Sequence, residues 1–185
     1  MIYIIDHKDS FTHNVVHQFE VFDDVTCDNY NEINEKKLNK SKVIVFSPGP
    51  GAPKDYPISS GIYKRFKGKK KIIGICLGFQ QILYCEKGEI IQQKKIYHGY
   101  QSKIKVTSDN SLFQKNRKFN VGRYHSLKLK EPFAAKNFEI TMRCAISNVA
   151  MAIENNEEKV YGFQFHPESF LTENGNLLIK KILSA

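Results

Sequence analysis

Residues 71–80 read KIIGICLGFQ, and this stretch decides the fold of the chain. Its first half is a short isoleucine-rich run, which is typical of a strand buried on both faces of a sheet. Its second half predicts the first turn of a helix, and Cys76 lies where the two meet. Gly74 and Gly78 flank the cysteine at positions where a sharp strand-to-helix turn needs small residues. The stretch therefore predicts a nucleophile elbow that carries a thiol instead of a serine hydroxyl.

The elbow places Cys76 where a nucleophile is expected. At a helix N-terminus, unpaired N–H groups and the positive end of the helix dipole favour a thiolate over a thiol. The alternative is a buried cysteine that packs as a small hydrophobic residue, which is the usual role of a free cysteine. Residues 71–80 alone leave both interpretations open.

The chain before the elbow alternates between apolar strand patterns and helix patterns. We predict strands over residues 2–5, 25–30 and 43–46, and helices over residues 58–66 and from Asp9 or Ser10, as N-cap, to about Glu20. Residues 47–53, SPGPGAP, contain three prolines and two glycines, which exclude helix and strand and predict a stiff turn. This order predicts an α/β fold, an open and mostly parallel twisted sheet with helices on both faces. Ligands bind such sheets beyond the carboxyl ends of the strands, where residues 47–53 and Cys76 both fall.

The chain after residue 83 changes to short strand patterns. We predict these strands over residues 89–93, 102–106, 126–129, 138–142 and 149–153, as a small antiparallel addition or extension and not as a second domain. A last strand is predicted over residues 160–165, and an amphipathic helix over 174–183 closes the chain. The chain has 185 residues, a length that suits one well-packed domain. We therefore expect a single domain over residues 1–185.

His166 and Glu168 strengthen the assignment of Cys76 as a nucleophile. Pro167 biases His166 toward an extended backbone, in which residues i and i+2 point to the same side. An imidazole can ionise a thiol and protonate a leaving amine, while a carboxylate holds the imidazole tautomer. The alternative is a surface histidine beside a surface glutamate, but this pair directly follows a buried strand. We therefore predict that Cys76, His166 and Glu168 form a catalytic triad.

Composition and charge exclude several classes of protein. The four cysteines, at 27, 76, 85 and 144, have no paired short spacing, so neither a metal site nor a disulfide framework is predicted. No apolar run is long enough for a signal peptide or a membrane span, and we expect a cytoplasmic protein without a membrane partner. The net charge of +9 comes mostly from scattered lysines, which favours a solvated surface over a nucleic-acid groove.

Five motifs together resemble the class I glutamine amidotransferases of the triad type. They are IDHKDSFTHN at 5–14, SPGPGAP at 47–53, GICLGFQ at 74–80, VGRYHSL at 121–127 and GFQFHPES at 162–169. Within that family, the chain looks most like the small glutamine-hydrolysing subunits of anthranilate synthase and of aminodeoxychorismate (para-aminobenzoate) synthase. The motifs follow the family order and cover nearly the whole chain.

The resemblance implies a role for each matching position. Cys76 would attack the side-chain carbonyl of L-glutamine, with His166 as general acid and base and Glu168 as its orienting partner. Backbone N–H groups of Leu77 and Gly51 would hold the oxyanion. The remaining glutamine-binding positions, partly acting through main-chain groups, would be Gly49, Pro50, Gln80, Ser126 and Leu127.

The resemblance also implies a separate partner, a synthase subunit that aminates chorismate with the released ammonia. Nothing in 185 residues is left over to bind chorismate or a nucleotide, and SPGPGAP lacks the Lys-Ser/Thr ending of a phosphate loop. We expect no cofactor in this subunit, and magnesium in the partner. The motifs do not separate the two pathways, and we place the para-aminobenzoate route slightly ahead of the anthranilate route.

Two other functions stay open at this point. One is a freestanding thiol amidase or γ-glutamyl hydrolase on the same fold, and the other is a binding module that has lost turnover. The match of Gln80 and Ser126-Leu127 to glutamine recognition argues against the first, and the intact triad argues against the second.

The remaining histidines and cysteines are expected to have no chemical role. We interpret His98 and His125 as structural, and Cys27, Cys85 and Cys144 as packing residues. Surface or interface positions are expected for His7, His13 and His17. Phe79, Tyr100, Lys8 and His13 depart from the commonest residues of the family, but none of them removes a member of the triad.

Overall fold

A nine-stranded mixed sheet forms the centre of the protein in the computed structural model, which describes all 185 residues. Its strands are β1 (Ile2–Asp6), β2 (Val25–Asn29), β3 (Val43–Phe46), β4 (Lys71–Ile75), β6 (Tyr100–Val106), β7 (Lys118–Arg123), β9 (Glu139–Cys144), β10 (Ala150–Asn155) and β11 (Val160–Phe163). A separate two-stranded ribbon consists of β5 (Ile90–Gln92) and β8 (Leu127–Leu129). The helices are α1 (Thr12–Glu20), α2 (Glu35–Lys40), α3 (Pro57–Phe66), α4 (Leu77–Cys85) and α5 (Gly175–Leu183).

The sheet combines a parallel half and an antiparallel half in the order β2-β1-β3-β4-β11-β10-β9-β6-β7. The strands from β2 to β11 in that order are parallel, and every pair from β11 to β7 is antiparallel. The predicted fold class is confirmed, and the antiparallel extension proves to be four strands that continue the same sheet. The register aligns Phe46, Gly74 and Gly162, so the loops that follow β3, β4 and β11 leave the sheet at one edge.

Helices cover both faces of the sheet because side chains alternate along each strand. On β1, Ile2 and Ile4 join one hydrophobic core with α1 and α5, while Tyr3 and Ile5 join the other with α2, α3 and α4. This two-sided burial explains why β1, β3 and β4 are continuous apolar runs. The longest helix, α3, has 10 residues, and none of the helices is long and apolar enough to cross a bilayer.

In the first 40 residues, one local prediction is wrong and one helix was not predicted. Neither Asp9 nor Ser10 caps the first helix, because the Asp9 side chain accepts the Phe11 N–H (2.8 Å) and closes a turn before the helix begins. The short helix α2 was not predicted. It buries only Leu38, so it has no apolar stripe to reveal it, and the Asn34 side chain caps it at the Lys37 N–H (3.1 Å).

Strand β7 was also missed by the sequence prediction. Its inward positions are Phe119, Val121 and Arg123, and the arginine at the third position interrupts an otherwise regular alternation of apolar residues. Within residues 47–53, the predicted irregular turn is correct up to Pro53, where a single 3-10 turn (Pro53–Asp55) begins.

Candidate active site

The elbow forms as predicted between β4 and α4, with Cys76 in a strained backbone conformation. Cys76 has φ 53° and ψ −99°, and its N–H donates to the Phe163 carbonyl of β11 (2.7 Å). A positive φ is costly for a non-glycine residue and persists only where the surroundings enforce it. The glycines permit this packing, since a Cβ on Gly74 would lie 2.4 Å from the Gly78 carbonyl oxygen and one on Gly78 would lie 2.2 Å from that of Phe46.

His166 and Glu168 lie together beside the elbow. The His166 Nδ1 is 2.6 Å from the Glu168 Oε1, and the side chains are 2% and 0% exposed. The Nε2 of His166 is buried without a hydrogen-bond partner of ordinary geometry, yet Cys76 is close enough to influence the ring. Burial by itself lowers the pKa of His166, but the negative charges of Glu168 and of the Cys76 sulfur, together with hydrogen bonds to both groups, raise it well above its ordinary value. An imidazolium beside a thiol stabilises the thiolate.

The ring of His166 is held from several sides. Its backbone N–H donates to the Gly122 carbonyl at the end of β7 (3.0 Å), and its carbonyl accepts the Thr172 hydroxyl (2.5 Å). The aromatic rings of Tyr124 and Phe11 pack edge-on against it, with centroid distances of 4.9 and 5.3 Å. These contacts leave the imidazole little freedom to rotate.

The loop after β3 passes directly against the start of α4. A Cβ on Gly49 would lie 2.5 Å from both the His7 Cβ and the Leu77 Cδ2, and the His7 Cβ cannot move without its backbone, so this position requires glycine. Gly51 has φ +73°, and its N–H has no acceptor within the protein. Leu77 is the first residue of α4, and its N–H therefore lacks an acceptor in its own helix. Free N–H groups of this kind can bind an oxyanion.

A chain of side-chain amides leads away from Cys76. The Gln164 Nε2 lies 3.8 Å from the Cys76 Sγ, and the Gln80 Nε2 donates to the Gln164 Oε1 (3.1 Å). The same Gln80 nitrogen lies 3.5 Å from the Leu127 carbonyl oxygen. Sequence reasoning missed Gln164, although the i, i+2 rule that pairs His166 with Glu168 also puts residue 164 on that side.

The other two predicted binding residues lie at the borders of this cluster. Pro50 is exposed, and its carbonyl accepts the Tyr56 hydroxyl (2.8 Å). Ser126 is half-buried, and its carbonyl accepts the Gln93 N–H (2.9 Å). A surface cleft of about 940 Å³ is lined by none of the predicted site residues and lies near both chain termini among lysines 42, 69, 70, 71 and 159. The site is therefore identified by its chemistry and not by its volume.

The chain also matches a protein-family model over nearly its whole length. Residues 3–185 match the family model described as glutamine amidotransferase class-I. The chain belongs to this family.

Proteins that are similar to this chain in sequence include "Anthranilate synthase component 2" of Lactococcus lactis, which is 39% identical over 100% of this chain and 94% of the relative. The "Bifunctional protein TrpGD" of Thermotoga maritima is 37% identical over 99% of this chain and 32% of its own length. Among solved structures, that of PurLQS from Thermotoga maritima superposes with a TM-score of 0.76 at 17% identity, covering 99% of this chain and 96% of that one. This last similarity shows the fold alone.

His7 is buried in this amidotransferase, and its predicted surface position is wrong. Its backbone N–H donates to the Ser47 hydroxyl (2.9 Å), and its Nε2 lies 2.9 Å from the Ser59 hydroxyl of α3. Burial lowers the pKa of His7 to about 4, so the ring is neutral near pH 7. Through these hydrogen bonds, His7 connects the loop after β3 with the end of β1 and with α3. No local pattern indicates this role, because the partner serines lie 40 and 52 residues away.

The remaining histidines differ in burial. His13 and His17 are exposed, as predicted, and His98 is exposed with its ring 5.9 Å from that of Tyr124. His125 is buried, and its Nδ1 lies 2.8 Å from the Leu127 carbonyl oxygen. All four cysteines of the amidotransferase are free thiols, and Cys144 is buried beside Arg123.

Proposed function

We propose that this chain is the glutamine-hydrolysing subunit of an anthranilate synthase, with Cys76, His166 and Glu168 as its catalytic triad. The observation that carries the proposal is the strained elbow cysteine next to a buried histidine whose pKa a carboxylate raises. A nucleophile, a proton carrier and an orienting group are the parts that acyl transfer from an amide requires.

The first half-reaction forms a thioester. The Cys76 Sγ attacks the side-chain carbonyl carbon of glutamine, and the resulting oxyanion binds the N–H groups of Gly51 and Leu77. The protonated His166 then gives its proton to the leaving nitrogen, so that the C–N bond breaks and ammonia departs. Glu168 stabilises the imidazolium throughout, through its 2.6 Å hydrogen bond to Nδ1.

The second half-reaction releases glutamate. A water molecule loses a proton to the now neutral His166 and attacks the thioester carbonyl, and the same two N–H groups hold the second oxyanion. Collapse of this intermediate breaks the C–S bond and returns the thiolate beside the imidazolium. The sum is glutamine plus water giving glutamate plus ammonia.

Glutamine recognition is assigned to the residues around the amide chain. Gln80 and the main chain at Ser126 and Leu127 would contact the substrate on one side, with Gly49 and Pro50 contacting it on the other. The position of Gln80 between Gln164 and the Leu127 carbonyl supports this assignment, because both neighbours orient its amide.

The names of similar proteins support an assignment of the partner subunit and the pathway. Those named anthranilate synthase component 2 match 96–100% of the chain at 35–39% identity, which favours a chorismate-using component I as the recipient of ammonia. The slight preference that we gave to the para-aminobenzoate route has no support among these relatives. The absence of a cofactor here, magnesium in the partner and a cytoplasmic location all stay predictions.

The proposal is tested by measuring ammonia release from glutamine. The purified chain is assayed alone and with component I of anthranilate synthase or of para-aminobenzoate synthase, each with chorismate. We expect the largest stimulation with the anthranilate component, and its loss in Cys76→Ala. Cys27→Ala is the matched control, since burial raises the pKa of Cys27 to about 12 and the thiol stays protonated.

The other outcomes point to the alternative functions. Stimulation by the para-aminobenzoate component alone would move the chain to that pathway. Full activity without any partner would favour the freestanding amidase, and no activity in any combination would favour the binding module.

A further inference from the structure

Arg123 is a fully buried cation without a carboxylate partner. It is 0% exposed, and none of the ion pairs of the protein includes it. Its Nη1 lies 3.5 Å from the Cys144 Sγ, its guanidinium carbon lies 3.5 Å from the centre of the Tyr97 ring, and its Nη2 has no partner. Burying a charge in this way is costly, so a contact elsewhere should explain why it is there.

The explanation is the hydrogen bond from the Arg123 Nε to the Nε2 of His125 (3.0 Å). A guanidinium has donors only, so Nε2 must be the acceptor. Burial, and then the charge of Arg123, lower the pKa of His125 to about 3, and the ring is therefore neutral. Its single proton must lie on Nδ1, from which it is donated to the Leu127 carbonyl (2.8 Å).

Without Arg123, the Nε2–H tautomer of His125 could accept a hydrogen bond at Nδ1 from a neighbouring side chain. The Gln93 Nε2 lies 3.2 Å from the His125 Nδ1, and it could donate to that nitrogen if the proton moved to Nε2. In that state the Leu127 carbonyl would face a lone pair instead of an N–H. Arg123 excludes this arrangement.

The Leu127 carbonyl also faces the substrate side of the site. It lies 3.5 Å from the Gln80 Nε2, and Gln80 reaches Cys76 through Gln164. We propose that Arg123 is a positioning residue for glutamine binding, which fixes the Nδ1–H tautomer of His125 and thereby the Leu127 carbonyl. This inference rests on the proposed glutaminase function of the same site.

The first test observes the tautomer itself. In ¹⁵N-labelled protein, imidazole nitrogen shifts should show Nδ1–H at His125 in the parent chain and a population of Nε2–H in Arg123→Met. The measurement needs no substrate, so it is independent of the proposed function. An Nε2–H tautomer in the parent chain, or no change in Arg123→Met, would overturn the inference.

The second test is kinetic and uses a rescue. Arg123→Met should raise KM for glutamine roughly tenfold and change kcat much less, because a carbonyl that binds substrate is displaced while the triad is not. His125→Asn places an amide N–H at the position of Nδ1, so the Leu127 contact no longer depends on Arg123. The double variant Arg123→Met/His125→Asn should therefore have a KM within about threefold of that of His125→Asn alone. An unchanged KM in Arg123→Met, or a KM in the double variant as high as in Arg123→Met, contradicts the inference.

A pair of thiol reagents separates this role from a general loss of structure. A diazoketone analogue of glutamine needs the binding pocket to reach Cys76, whereas iodoacetamide does not. Arg123→Met should slow inactivation by the analogue about tenfold and leave the iodoacetamide rate similar to the parent. If Arg123→Met does not fold, His125→Gln takes its place, because its amide oxygen keeps an acceptor for Arg123 while no donor remains at the position of Nδ1, which faces Leu127. A parent chain that reacts with iodoacetamide alone would count against the proposed function, whereas equal analogue rates in parent and variants would count against this inference only.

Discussion

His166 and His125 are two buried histidines of the same site whose pKa values are shifted in opposite directions. Their exposed fractions are 2% and 4%, yet the pKa of His166 is raised well above its ordinary value and that of His125 is lowered to about 3. Burial lowers both values, so it does not account for the difference. The difference comes from the charged group next to each ring. Glu168 lies 2.6 Å from the ring of His166, and the guanidinium nitrogen of Arg123 lies 3.0 Å from the ring of His125.

The difference shows that neighbouring histidines can have different roles in one site. His166 can transfer protons, whereas His125 stays neutral and orients one carbonyl group. An imidazole that must carry protons needs a neighbouring anion that keeps the charged form accessible. An imidazole that must hold one carbonyl needs a cation that keeps it neutral with one tautomer. The two rings also repel each other when charged, because the charge of His166 further lowers the pKa of His125.

The largest effect is expected from removing the proton carrier. His166→Asn should lower kcat for glutamine hydrolysis about 10³-fold or more, because neither the thiol nor the leaving nitrogen then has a partner for proton transfer. Steady-state ammonia release with the partner subunit measures this effect. A loss below tenfold would mean that His166 is not the general acid and base, and that the contrast with His125 has no chemical meaning.

The comparison is sharpened by removing the charge of Glu168 and keeping its shape. Glu168→Gln should lower the pKa of His166, since burial is then opposed only by Cys76, and kcat should fall about 10²-fold or more. Imidazole NMR titration and the pH dependence of kcat/KM follow the two changes. A His166 pKa that stayed raised would assign the shift to a group other than Glu168.

The two histidines should also contribute to stability with opposite dependence on pH. The folded pKa of His125, about 3, lies below its unfolded value of about 6.5, so between these values the unfolded chain binds the proton and stability falls as the pH falls. This costs about 2 kcal/mol at pH 5 relative to pH 7.5. His166 has a raised folded pKa, so its contribution is fully present below the unfolded value and is lost as the pH rises through the folded one.

Urea unfolding at pH 5 and pH 7.5 measures this difference. His125→Asn, which cannot be protonated, should lose about 2 kcal/mol less stability between pH 7.5 and pH 5 than the parent chain. His7, with a folded pKa of about 4, contributes in the same direction as His125 and stays present in both proteins. Equal losses in the two proteins would contradict a neutral His125 in the folded state.

The smallest effect is expected at an exposed histidine that lies outside the site. His17 is largely exposed and lies 3.8 Å from Glu20 on α1. His17→Asn should change the free energy of unfolding by less than about 0.5 kcal/mol and leave ammonia release unchanged. A larger change would show that the surface of α1 is part of a contact that the single chain does not reveal.

Much of the site could be predicted because its motifs are local. The elbow needs two glycines within five residues, and the pair His166 and Glu168 needs only a proline and an extended strand end. Gln164 was within reach of the same rule. The roles of His7 and Arg123 could not be predicted in this way. The serines that contact His7 are 40 and 52 residues away, and the sequence does not show how the chain turns after β7 to bring His125 back to Arg123.

By itself, the sequence determined the alternation of strands and helices, the elbow and the edge of the sheet where ligands bind. These features follow from hydrophobic period and from glycine and proline geometry, which act over a few neighbouring residues. Only the tertiary structure decided in which direction the pKa of each buried histidine is shifted, where the buried Arg123 lies and how β7 joins the sheet. Electrostatic environment depends on groups brought together from distant segments, and no local pattern contains that information.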